Sequence, residues 1–170
     1  MPALALIRHW KLVLGGLALW TAWLALVNAK AIGLNFLLSV LCLVWAADIA
    51  AYFGGRAFGR RKLAPSISPG KTWSGLVGGM CFSAVASAAC GLAFNAGATP
   101  MLAVTGIAIA AVAQGGDLLE SAAKRRAGVK DSGNIIPGHG GILDRIDGLI
   151  AALVFIAIVR LATAGDWPWA

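Results

Sequence analysis

QGGDLLESAAKRRAGVKDSGNIIPGHGGILDRID, residues 114–147, is a polar island in an apolar chain. It holds five of the seven acidic residues, Asp117, Glu120, Asp131, Asp144 and Asp147. Lys124, Arg125, Arg126, Lys130, Arg145 and His139 lie in the same stretch, and runs of membrane-spanning length flank it. Charge is costly in a bilayer, so a dense polar segment between two spans marks a functional site.

The surrounding composition sets the class. The 170 residues are 59% hydrophobic and 12% charged, with mean hydropathy +0.82, whereas soluble domains carry about 25% charged residues. The expected fold is all-α: a polytopic membrane protein of about five transmembrane helices with two polar cytoplasmic loops. The spans are expected at 10–30, 32–53, 74–94, 101–120 and 142–164, the loops at 54–73 and 121–141, in a single membrane domain. A cleaved leader ending near Ala29-Lys30-Ala31 is the alternative for the first apolar run. Twelve of fourteen Lys and Arg fall in the N-terminus and the two loops if Arg145 is counted with the second. That bias places both loops in the cytoplasm, and it accounts for the net charge of +7 without nucleic acid. Cys42, Cys81 and Cys90 lie inside apolar runs without ligand-like spacing, so neither a disulfide framework nor a zinc site is expected.

Asp48 sits one to two turns before the end of the second span, with Tyr52 and Arg56 on the same helix face. An interfacial Asp48–Arg56 salt bridge and a role at the site are both open readings. The first loop carries Arg56, Arg60, Arg61, Lys62 and Lys71 and no acid, and it ends in SISPGKTW, residues 66–73. Ser66, Ser68, Lys71 and Thr72, clustered before a helix start, form a candidate anion site. The Gly-Lys-Thr triplet lacks the upstream glycine of a P-loop. In the third span Gly75, Gly78 and Gly79 permit close helix approach.

In the island, Asp117, Glu120 and Ser121 share one helix face, which Lys124 continues, and Asp144 and Asp147 stand at i and i+3. Carboxylates from two helices and a loop suit a hard cation such as Mg²⁺, whose remaining ligands are water and phosphate oxygens. His139, in a glycine-rich loop, is a phosphate donor, a general acid or base, or a loop-ordering group.

The segment from Ser121 to Asp147 resembles the signature of the phosphatidate cytidylyltransferases, the CDP-diacylglycerol synthases of bacteria. GDLLES before it fits as well, as does DIAAYFGGRAFGRRKLAPSISPGKTW, residues 48–73. The resemblance covers roughly residues 40–150. It implies cytidylyl transfer from CTP to phosphatidic acid, releasing CDP-diacylglycerol and pyrophosphate, in the bacterial inner membrane. It further implies Asp117, Asp131 and Asp144 as ligands of Mg²⁺, with a second cation as an option. Asp131, Lys130, His139 and Arg145 are then the catalytic candidates. Ser66, Ser68, Lys71, Thr72, Ser121, Lys124 and Arg125 are the substrate-binding ones. CTP, phosphatidic acid and membrane lipid are the expected partners, with a homodimer as a further possibility. Two departures stand out: family members are longer, with additional N-terminal spans that this chain is expected to lack, and Ser74 occupies a position that is usually acidic. The competing readings are a truncated, catalytically silent lipid- or nucleotide-binding remnant, and a small transporter. A transporter would place its charges nearer the bilayer midplane.

Overall fold

The computed structural model describes residues 17, 19–95, 100–129 and 143–162. Five helices appear among them: α1 (Leu19–Ile32), α2 (Leu34–Phe58), α3 (Trp73–Ala93), α4 (Pro100–Arg126) and α5 (Leu143–Ala162). The chain is an all-α membrane protein. Helices α2, α3 and α4 are each long and apolar enough to cross a bilayer. Helix α5 carries Asp144, Arg145 and Asp147 in its first two turns and Arg160 in its last. Gly33 breaks the chain between α1 and α2 at φ 154°, a backbone that side-chain-bearing residues rarely adopt.

The helices pack in the order α2–α3–α4–α5, with α2 also touching α4 and α5. A cluster of Ala25, Ala29, Phe36, Val40, Leu43, Val44, Ile109, Ala113, Ala152, Leu153 and Ile156 joins α1, α2, α4 and α5. Helix α3 is built differently, since its buried face is Gly75, Gly79, Ser83, Ser87 and Gly91. In lipid, apolar burial supplies little drive for helix association, so close van der Waals contact between small faces does the work. A Cβ on Gly75 would stand 2.7 Å from the Ala51 carbonyl, and one on Gly79 would stand 2.9 Å from that of Ala47. Ser87 Oγ donates to the Leu102 carbonyl across the α3–α4 seam at 2.5 Å.

Some boundaries differ from the sequence expectation. Helix α2 runs to Phe58 rather than 53, because Gly54 and Gly55 lie against the start of α3; a Cβ on Gly55 would meet Thr72 Oγ1 at 2.9 Å. Helix α4 continues past 120 to Arg126. Ala122 and Ala123 favour helix, and the three cations that follow complement its negative C-terminal end.

The first polar loop contains a two-stranded antiparallel hairpin, β1 (Lys62–Ala64) and β2 (Ser68–Thr72). Pro65 occupies the second position of its turn, which Ile67 N closes onto the Ala64 carbonyl at 3.1 Å. Trp73 N donates to the Arg61 carbonyl at 3.1 Å. Thr72 ends β2 and caps α3, its Oγ1 accepting from Gly75 N at 3.1 Å.

The end of α2, the hairpin, the end of α4 and the start of α5 meet at one end of the bundle. At the other, Arg160 donates to Asn28 Oδ1 at 3.1 Å. The hairpin segment and residues 121–129 therefore lie at the same end of the bundle.

Gly79→Val is expected to lower stability by about 1–3 kcal/mol, because the added bulk meets backbone that cannot turn aside. Gly70→Ala, where a Cβ meets nothing within 4 Å, is expected to be nearly silent. Thermal melting of both variants in one detergent checks this.

Candidate active site

The polar rim encloses a cavity of about 410 Å³ between α2, the hairpin and α4, lined among others by Asp48, Ser68, Lys71, Thr72, Gln114 and Asp117. Asp48 comes from the C-terminal half of α2 and Lys71 from β2. Gln114 and Asp117 come from one face of α4, three residues apart. Gln114 Nε2 donates to Asp48 Oδ1 at 3.0 Å. Lys71 Nζ donates to the Gln114 carbonyl at 3.2 Å and lies 2.6 Å from Asp117 Oδ2. Ser121 Oγ donates to Asp117 Oδ1 at 3.3 Å. The result is a linked chain Asp48–Gln114–Lys71–Asp117–Ser121 across three elements. A carboxylate withdrawn from water needs such donors or a cation to remain charged. Asp117 keeps 35% of its side chain exposed and Lys71 only 16%.

A second polar group joins α4 to α5. Lys124 Nζ lies 2.6 Å from Asp144 Oδ1 and 3.5 Å from Glu120 Oε1. Neither Glu120 oxygen has a hydrogen-bond partner among the described residues, although both are buried. Asp147 lies one turn beyond Asp144, and its Oδ1 accepts from Gly148 N at 2.7 Å. The helices meet closely here, since a Cβ on Gly116 would collide with Ala151 Cβ.

The structure brings Ser68, Lys71, Thr72, Asp117 and Ser121 together. The Thr72 hydroxyl is already engaged as the α3 cap and lies 3.2 Å from Ser74 Oγ. Ser66 is exposed in the hairpin turn and does not line the cavity. Lys124 and Asp144 hold each other. Arg125, exposed, reaches the Ile67 carbonyl at 3.4 Å and so ties the end of α4 to the hairpin turn. Lys130, Asp131, His139 and the Arg145 side chain lie outside the described residues. Among the described residues, no three His, Cys, Asp or Glu side chains gather as a metal cage.

The Asp48–Arg56 salt bridge is not what forms. Asp48 turns inward to Gln114, while Arg56 donates to Tyr52 Oη at 3.2 Å. Gln114 was absent from the sequence candidates. Its signal was an amide closing an apolar run, one turn before Asp117. Ser74, at the position where the resemblance leads one to expect an acid, donates to the Gly54 carbonyl at 3.2 Å and so fastens α3 to α2.

The pattern of the cytidylyltransferase family matches residues 4–162. The chain belongs to that family. It is similar to the phosphatidate cytidylyltransferase of Pseudomonas aeruginosa, 48% identical over 163 residues, covering 93% of this chain and 60% of the relative. It is also similar to the phosphatidate cytidylyltransferase of Haemophilus influenzae, 50% identical over 139 residues, covering 74% of this chain and 45% of the relative. The chain thus spans about half the length of the curated family members it matches. A solved structure, described as an intramembrane enzyme for archaeal membrane lipid biosynthesis, aligns with TM-score 0.49 and 27% identity, covering 74% of this chain and 84% of that one.

Lys124→Met is expected to destabilise the protein by roughly 3 kcal/mol, because it removes the cation that Asp144 and Glu120 share at a partly buried seam. The double variant Lys124→Met/Asp144→Asn is expected to recover part of that loss, and a double-mutant cycle on melting curves measures the coupling.

Proposed function

We propose that the chain transfers a cytidylyl group from CTP to the phosphate of phosphatidic acid, giving CDP-diacylglycerol and pyrophosphate. Family membership and the names of the relatives support the reaction class. The observation that carries the site is the cavity at the polar end of an apolar bundle, with Asp117 and Lys71 paired at its edge. It brings an ionic site within reach of both water and a lipid surface.

Charge bookkeeping bears on the cofactor. Asp48 and Asp117 against Lys71 leave a formal charge of −1, a poor host for a triphosphate on its own. A divalent cation resolves that conflict, and hard carboxylate oxygens suit Mg²⁺, which uses one or two protein carboxylates and completes its shell with water and phosphate oxygens. Asp117, the more exposed acid of the linked chain, would hold it together with Asp131. Asp144 would join them on release from Lys124. Bound Mg²⁺ would supply neutralisation of the phosphate oxygens and fix their geometry.

The protein's own groups position and neutralise. Lys71, Lys124, Arg125, Lys130, His139 and Arg145 are the proposed phosphate partners. An oxygen of the lipid phosphate attacks the α-phosphorus and forms the new P–O bond. The bond from the α-phosphorus to the bridging oxygen breaks, and its electron pair leaves with pyrophosphate. No covalent enzyme intermediate is required, so orientation and electrostatics supply the rate. The proposed location is the bacterial inner membrane, with the polar end of the bundle in the cytoplasm.

Purified protein in detergent with labelled CTP, phosphatidic acid and Mg²⁺ is expected to form CDP-diacylglycerol. Asp117→Asn is expected to lower turnover about a hundredfold or more, with a melting curve recorded because the Lys71 ion pair is also lost. CTP binding without any product from the native chain would overturn the enzymatic reading in favour of a silent binding protein.

A further inference from the structure

A second cavity, of about 390 Å³, adjoins the first and is lined by Ala51, Tyr52, Gly55, Arg56, Lys62 and Gly70. Ala51, Tyr52 and Gly70 line both, so the two spaces share a wall. Their chemistry differs. The first holds two carboxylates and one lysine; the second holds an arginine, a lysine and a phenol, and no acid. Among the described residues neither Arg56 nor Lys62 has a carboxylate at ion-pairing distance. Tyr52 Oη accepts from Arg56 and keeps its own proton to donate. A guanidinium fork beside an ammonium suits a phosphomonoester dianion.

The outer face of α2 indicates what carries that phosphate. Trp45, Ile49, Tyr52 and Phe53 are 63%, 57%, 60% and 63% exposed, and their spacing puts them with Arg56 on one helix face. The row is apolar for two turns and then cationic. An amphiphile lying along it rests its chains on Trp45, Ile49 and Phe53 and brings its head to Arg56. Free phosphate has no use for such a track.

We infer that the second cavity seats the phosphate of a lipid phosphomonoester, with Arg56 and Lys62 as its cationic partners. The site rests on cytidylyl transfer only in naming that lipid as the acceptor. It lies beside the Lys71–Asp117 cavity, with Ala51, Tyr52 and Gly70 between the two.

Direct binding to the full chain in detergent tests this, with dioctanoyl phosphatidate, dioctanoylglycerol, inorganic phosphate and Mg–CTP as separate probes. Arg56→Gln/Lys62→Gln is expected to weaken phosphatidate binding about tenfold, the worth of a charge-assisted contact, with Mg–CTP binding retained. Dioctanoylglycerol is expected not to distinguish the two proteins. Equal phosphatidate affinity in both proteins, loss of CTP binding in place of lipid binding, or inorganic phosphate bound as tightly as the lipid would each overturn the inference. Should the double variant fail to fold, Arg56→Gln and Lys62→Gln singly, checked by melting, answer the same question. Binding is read without turnover, so a protein that binds the lipid through these residues yet forms no CDP-lipid counts against the transferase reading alone.

Discussion

A lysine from a short hairpin and a carboxylate from a membrane-length helix meet at 2.6 Å, and the polar end of the molecule is arranged about that contact. Withdrawing the ammonium strands Asp117 and deprives the Gln114 carbonyl of a donor. Withdrawing the carboxylate leaves a largely buried cation beside apolar helices. Removing either group alone is the costly change, because it leaves the other's charge partly buried without its neighbour. A polar rim can persist on an apolar bundle because its charges are linked through Gln114 to Asp48 and through Ser121 back to α4.

The two polar groups on α4 differ in their surroundings. The Asp117 group faces a cavity and retains exposure, as a ligand site requires. The Lys124 group fastens α4 to α5 and is more enclosed, with side-chain exposures of 16% and 13% for its principal pair. The glycines at 116 and 148 let α4 and α5 approach closely beside the second group.

Much of this was legible in the sequence, for physical reasons. Long apolar runs fix helices in lipid because every backbone group must be satisfied internally. Glycines at 75 and 79 announced a close helix contact because no larger residue fits there. The i, i+4 spacing put Ser121 against Asp117, whereas Glu120 and Lys124, expected on the same face, turn toward α5. The hairpin was not legible: its strands are short, Pro69 and Gly70 interrupt the second, and its pairing depends on a turn and on α3 being in place. The partner of Asp48 was not legible either. Arg56 was near in sequence, whereas Gln114 became near only when α2 and α4 packed. The assignments of Lys130, Asp131 and His139 rest on resemblance, since those residues lie outside the described part of the chain.

Thr72 both ends β2 and caps α3, so no linker separates the hairpin from the span that follows it. Lys71 is therefore mounted on α3 like a tooth on a rod. A span answers a thicker or thinner bilayer by changing its tilt. Any change in the tilt of α3 would therefore be felt first at Thr72 and Lys71, its immediate neighbours in the chain.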